Sequence, residues 1–306
     1  MYKIVPVYKD YLWGGNKLLS EYHMPYEGEI LAEAWILADH PMGECKVIVD
    51  SSPILFSDFL QQQGKEILGK NAEKYDRFPI LIKLLDSARD LSIQVHPDDD
   101  YALAHENEYG KTEAWFILEA EEDAHILYGL KEEVSKVELK DSILTGTVID
   151  QLKKIPVKKG DVFFISPGTI HAVGKGIVLA EIQQNSDVTY RVYDYNRTDK
   201  DGHKRPLHIQ QALDVASLTP SSLDSQTTNN VDCDYFCVDW RKTKSKDMIQ
   251  TNLDSFVSLV TTEGEGTITS STQTMHLQKG DSIFLPAGSY EYQLEGCLEY
   301  LVTRIK

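Results

Sequence analysis

The apolar positions of this chain keep two rhythms, and the change between them falls near Pro156. Ahead of it, Ser57–Gly69 (SDFLQQQGKEILG) opens on a residue of N-cap type and closes on glycine, which predicts a helix. Ile80–Leu85 follows Pro79 as an unbroken apolar run, the pattern of a buried strand. Asp98–Asn107 comes after a proline and begins acidic, which suits a helix start, where backbone N–H groups leave positive charge. Lys131–Lys154 carries apolar residues at mixed spacings of three and four, which predicts one or two amphipathic helices. Beyond Pro156, short β-rich runs separated by turn residues take over: VKKGDVFFISPGTIHAV, GIVLAEIQQ and VTYRVYDYN. That spacing belongs to a β-sandwich or barrel. The polar stretch Ser217–Asn230 reads as a linker, and more short β segments follow it.

One pattern occurs twice. Lys159–Gly168 (KGDVFFISPG) and Lys279–Gly288 (KGDSIFLPAG) share KGD, an apolar strand and a closing turn. Self-similarity at long range is how duplicated units show themselves, although any β-barrel reuses turn–strand–turn grammar. The copies then diverge. His171 stands three residues after Gly168, whereas Glu291 stands three after Gly288, so a histidine at this position belongs to the first copy alone.

Composition narrows the class. Of 306 residues, 42% are hydrophobic and 26% charged, as in globular proteins with a proper core. No apolar run approaches the roughly 20 residues of a membrane span. The start, MYKIVPVYKDYLWGG, has no apolar leader pattern, so the cytoplasm is the expected location. Cys233 and Cys237 are too far apart on a strand, about 13 Å, for a disulfide, and with Cys45 and Cys297 they are expected to stay reduced. The formal net charge of −17 argues against nucleic acid and anionic membranes as partners. It would also repel a phosphorylated substrate, whose pocket must then be locally basic or hold a metal.

Candidate chemistry lies in three short segments. In LSIQVHP, extended backbone would put Ser92, Gln94 and His96 on one face and Leu91, Ile93 and Val95 on the other. In GKTEAWFIL, Lys111, Glu113, Trp115 and Ile117 share a face, and a carboxylate among such large apolar neighbours needs a cation or a metal. In PGTIHA, His171 begins a strand just past a turn. Gln94, His96, Glu113 and His171 would offer mixed nitrogen and oxygen donors of the kind that hold Zn²⁺ or another first-row divalent ion. One negative charge against two positive would leave a Lewis-acid site with room for substrate. From spacing alone, a histidine satisfied within the core explains each ring equally well.

The stretches AEAWILADH, FPILIKLLDSARDLSIQVHPDDDYA, GKTEAWFIL and ISPGTIHAVGKGIVLAEIQQNSDVTYRVYDYNR resemble type I mannose-6-phosphate isomerases, in order over the first two-thirds of the chain and nearest to the short bacterial form. The resemblance implies a mainly β fold of two cupin-type (jelly-roll) barrels with inserted helices, the second barrel lacking a metal site. It implies a catalytic domain over 1–220, with helical insertions at about 55–75 and 98–155, and a degenerate cupin-like domain over 231–306. It implies one zinc per chain and interconversion of mannose 6-phosphate and fructose 6-phosphate through a cis-enediol. The family's metal ligands fall on Gln94, His96, Glu113 and His171. Its essential arginine falls on Arg191, its lysine on Lys111 and an acidic residue on Asp187. Longer members often carry a histidine just before that lysine; here the position is Gly110.

Under this reading a divalent metal polarises the carbonyl, Lys111 is a candidate base for the carbon-bound proton, and Arg191 offers a fork of donors to phosphate or enediolate. Plainer roles exist: Lys111 as a partner of Glu113, Arg191 stacked with Tyr193 and Tyr195 on a shared face, Asp187 as a turn residue. His105, His125, His203 and His208 lie in polar or helical contexts and read as surface or structural residues. The other readings are a different metal-dependent cupin enzyme, such as a dioxygenase or epimerase, and a non-catalytic sugar-binding cupin. Oligomeric state is not legible.

Overall fold

The computed structural model describes residues 1–198, 202–221 and 229–306. The expected helices form, each with a local reason for its ends. The first runs Phe56–Gln63 and is followed, after Gly64, by a 3-10 turn over Lys65–Leu68. Gly64 breaks the helix by taking φ of 85°, a conformation open to glycine. Ser57 is not the cap; its N–H donates to the Glu44 carboxylate at 2.6 Å. Asp98 does cap Asp99–His105, accepting from the Tyr101 N–H at 3.0 Å. Between 131 and 154, Ser135 and Glu138 form a reciprocal capping box for Lys136–Thr145, and Gly146 closes that helix in the left-handed conformation. A short helix, Val148–Gln151, follows. The end of this stretch is not helical: Leu152–Pro156 is a strand paired with His125–Leu130.

The chain forms two compact units. Their division between residues 227 and 228 falls within the boundary at 220–231 read from the polar stretch, but residues 1–9 and 16–84 join the C-terminal unit instead of the unit ahead of that boundary. One unit contains Met1–Lys9, Asn16–Leu84 and Thr228–Lys306; the other contains Asp10–Gly15 and Leu85–Thr227. Strand pairing is the cause. Tyr2–Val5 sets Tyr2 against Phe284 on one side and Ile4 against Val47 on the other, so the N-terminal segment completes a sheet begun by the C-terminal one. Within the polar stretch, residues 222–228 lie outside the described residues.

The first unit is built on a ten-stranded sheet. Val257, Leu259, Ile283, Leu285, Tyr300 and Val302 form the core on one face. Phe284 projects from the other into a cluster of rings, 5.6 Å from Phe56 and 5.1 Å from Phe256. The second unit holds three strands of one antiparallel sheet and the whole of another. Val162–Ile165, Glu113–Ala120 and Ile177–Gln184 are neighbours in one. The other runs in the order Leu152–Pro156, His125–Leu130, His171–Val173, Ile93–Val95, Tyr190–Tyr193.

The sequence echo is a structural one. Gly160 and Gly280 take φ of 98° and 92°. The aspartate after each closes the turn alike: the Lys158 N–H donates to Asp161 Oδ2 at 2.9 Å, and the Gln278 N–H to Asp281 Oδ2 at 3.1 Å. Strands Val162–Ile165 and Ser282–Leu285 follow. Glu291, the counterpart of His171, is exposed and accepts from Gln250.

Phe284 and Glu291 make a stability test. Phe284→Ala is expected to cost about 3–5 kcal/mol in urea unfolding, because it empties a packed site. Glu291→Gln should stay within about 0.5 kcal/mol, as an exposed substitution does. Equal losses at the two positions would contradict this account of the second copy.

Candidate metal centre

Two strands of one sheet and one of the other bring three side chains together. Alternation along Ile93–Val95 sends Gln94 and His96 to one face, as expected. Antiparallel pairing sets Gln94 directly opposite His171 on one side and Arg191 on the other, so these three share that face. Glu113 begins the strand Glu113–Ala120 in the facing sheet. The His171 ring packs against Trp115 with centroids 5.3 Å apart, which closes the space between the sheets.

His96, Glu113 and His171 are buried and offer one ligand atom each, all within 4.8 Å of one another. His96 Nε2 lies 3.3 Å from Glu113 Oε1, and His171 Nε2 lies 3.7 Å from Glu113 Oε2. Ligands held tetrahedrally at about 2.1 Å from a metal would be about 3.4 Å apart. The tautomers follow from the other ring nitrogens. His96 Nδ1 meets the Val188 carbonyl at 2.9 Å, and His171 Nδ1 meets the Thr169 carbonyl at 2.8 Å. A carbonyl can only accept, so each Nδ1 carries the proton and each Nε2 presents a lone pair. Both Nε2 atoms and both Glu113 oxygens are buried without a properly directed hydrogen bond. Four lone-pair atoms therefore converge on one point.

Electrostatics reinforces this arrangement. Burial, then the nearby Lys111 ammonium, pushes His96 down to about 3; burial also lowers His171. Both rings are neutral at pH 7, the form that binds metal. Burial alone would raise the Glu113 carboxyl. Lys111 Nζ, 2.9 Å from Oε1, and after it His96 and His171 together outweigh burial and hold the carboxyl well below its usual range. Lys111 is itself buried, and its close approach is an ion pair off the line of a directed hydrogen bond. The donor set therefore fits a divalent cation: two neutral imidazoles and one carboxylate, each imidazole oriented by a backbone carbonyl.

The remaining expected residues are placed unequally. Gln94 stands half-buried in register between His171 and Arg191. Arg191 lies on Tyr190–Tyr193 and donates from Nη1 to the Pro206 carbonyl at 3.0 Å. Its Nε is buried without an acceptor. It does not share a face with Tyr193, because a bulge intervenes and Tyr193 pairs with Ile93. The cation over Tyr195 is Arg197, 5.1 Å from the ring centroid. Asp187 makes no ion pair with Arg191 among the described residues. It immediately precedes Val188, whose carbonyl orients His96.

The carboxylate near Arg191 is Asp194, which sequence reading missed. It accepts from Arg205 Nε at 2.8 Å and from Arg197. Burial would raise its carboxyl, but the bonds from Arg205 and Arg197 hold it below the usual range. Arg197 and Arg205 thus bracket one carboxylate, whose charge Arg191 also feels. Gly110 also has a structural reason. A Cβ there would sit 2.4 Å from the Asp98 carbonyl carbon, so the backbone at the start of the helix Asp99–His105 leaves no room for a side chain.

Known proteins match this chain along most of its length. A family model for the catalytic domain of type I phosphomannose isomerase matches residues 1–123, and one for the cupin domain of mannose-6-phosphate isomerase matches residues 226–305. The mannose-6-phosphate isomerase of Streptococcus mutans is 41% identical over 305 residues, 95% of this chain and 94% of that protein. Mannose-6-phosphate isomerase ManA of Bacillus subtilis is 37% identical over 98% of this chain and 97% of its own length. A crystal structure of the mannose 6-phosphate isomerase from Bacillus subtilis has a TM-score of 0.89 at 34% identity, covering 99% of this chain and 98% of that one. The mainly β, cupin-type fold expected from the sequence is the fold that the chain adopts.

The geometry predicts the metal behaviour of a single variant. Elemental analysis should find a divalent ion in the native chain at one per molecule. Glu113→Gln should lose it while circular dichroism stays unchanged. Full metal retention by Glu113→Gln would remove the carboxylate from the ligand set.

Proposed function

We propose that this chain, which belongs to the type I phosphomannose isomerase family, interconverts mannose 6-phosphate and fructose 6-phosphate through a cis-enediol, with one zinc ion per chain. Its relatives over nearly the full length are named mannose-6-phosphate isomerases. The observation that carries the reading is the convergence of His96 Nε2, His171 Nε2 and both Glu113 oxygens, buried and without directed partners. We assign His96, Glu113 and His171 as ligands and Gln94 as the neutral fourth. Nitrogen and oxygen donors in this number suit zinc. When bound, the ion supplies Lewis acidity to the carbonyl oxygen of the open-chain sugar.

The protein's own groups divide the remaining work. Lys111, buried beside Glu113, is placed to carry the proton between C1 and C2. Arg191 keeps a buried Nε–H without an acceptor, on the same sheet face as Gln94 and His171. That N–H is available to an anionic oxygen of the substrate. We place Asp187 at the substrate, beside the turn that orients His96. Arg197 and Arg205 add positive charge around Asp194, which gives a phosphate monoester a favourable local field. Ring opening cannot use a side chain at position 110, where none fits. It falls to another group, to water or to the spontaneous reaction. The four cysteines are unpaired, in keeping with a reducing cytoplasm.

A coupled assay of mannose 6-phosphate turnover tests this. Chelation should abolish activity, and zinc should restore it. Lys111→Ala should lower kcat about a hundredfold or more while metal content holds, since a positioned proton carrier contributes about that much. Full turnover by metal-free protein would overturn the reading.

A further inference from the structure

We propose that His208 is the positioning residue for Arg191, holding its backbone through an unprotonated Nδ1. Tyr190–Tyr193 stands last in the order of its sheet. A strand in that place leaves alternate N–H and C=O groups without a neighbouring strand. At Arg191 one residue takes both. The Arg191 N–H donates to His208 Nδ1 at 3.1 Å, and the His208 N–H donates to the Arg191 carbonyl at 2.9 Å. Two residues earlier, the Pro206 carbonyl accepts from Arg191 Nη1 at 3.0 Å. The segment 206–208 therefore fixes the arginine at its backbone and at one end of its guanidinium. Arg191 Nε is the group left unspent.

The ring is held for this role from several sides. It is half-buried at the start of the helix Ile209–Val215. Tyr190 packs 6.2 Å from it, and the Tyr190 hydroxyl is tied to Glu106. Burial, then the Arg191 guanidinium, keeps the imidazole neutral to below its ordinary range, against the pull of Glu106. An amide N–H can bond only to a nitrogen bearing a lone pair, so the arrangement requires the neutral ring with any proton on Nε2. Losing the acceptor would free the Arg191 backbone while leaving the metal ligands untouched. Small misplacements of a group that acts on the transition state cost rate steeply.

The inference rests on the reading of Arg191 as a catalytic group, and the experiment separates the two. His208→Asn places an amide oxygen where Nδ1 stood; His208→Gln fills similar volume with its polar atoms further out. With metal content verified, kcat and KM for mannose 6-phosphate are measured for both, alongside Arg191→Lys. His208→Gln should lose about ten- to a hundredfold in kcat with KM within about threefold. His208→Asn should stay within about threefold in kcat. Equal behaviour of the two His208 variants, whether both active or both impaired, overturns the proposal when Arg191→Lys is inactive. An active Arg191→Lys removes the role of Arg191 itself, and the proposal falls with it.

Discussion

Everything at this site depends on one crowded meeting of lone pairs. Two imidazole nitrogens face the two oxygens of Glu113 at 3.3 and 3.7 Å, all buried. None of these nitrogens can donate, because backbone carbonyls have claimed the protons on the opposite ring atoms. Burying a carboxylate costs several kcal/mol unless positive charge compensates. Lys111 compensates in part, from one side. The acceptors on the other sides still repel each other, and a divalent cation is the simplest object that turns that repulsion into attraction.

Sheet register is what sustains such a costly cluster. The clustered His96, Glu113 and His171 are spread over 75 residues of sequence, each on a different segment. Direct cross-strand pairing brings Gln94 and His171 together without any loop having to close precisely. The same pairing continues to Arg191, so metal donors and guanidinium stand on one face of three consecutive strands. Apolar side chains on the opposite face, Ile93, Val95, Ala172 and Val192 among them, anchor those strands in a core. A one-residue slip of the strand Ile93–Val95 or His171–Val173 would turn Gln94 or His171 into that core.

What the sequence shows and what it hides follow the range of the interactions. Caps and turns are short-range, so the helix start at Asp98 and the repeated KGD turns were legible. The members of the candidate cluster were singled out through alternation and the family resemblance, since a strand with Gln and His on one face and Ile and Val on the other differs from an ordinary surface strand. Long-range events were not. Nothing local shows that Tyr2–Val5 pairs with Ser282–Leu285, and this pairing is what puts the N-terminal segment in the C-terminal unit. The bulge after Arg191 separates it from Tyr193, which simple alternation would have placed beside it. His208 read as a bystander because its function is to accept a backbone N–H, a task that leaves no mark in residue spacing. Gly110 read as a missing catalytic group, whereas the close backbone of Asp98 explains it sterically.

The net charge of −17 can now be weighed against the site. Exposed acidic groups act through water and salt, and at physiological ionic strength their field fades within about 8 Å. Charges in a partly buried pocket are screened far less, and low-dielectric walls focus them. Lys111 is almost wholly buried beside Glu113. Arg197 and Arg205 share a single carboxylate, Asp194, whose charge Arg191 also feels, so positive charge is left over locally. For the anionic sugar proposed as substrate, this amounts to a weak, screened repulsion at long range and a favourable field near the site. The average charge therefore bears on solubility and on which macromolecules are turned away, while the few cations close to the candidate site set the field there.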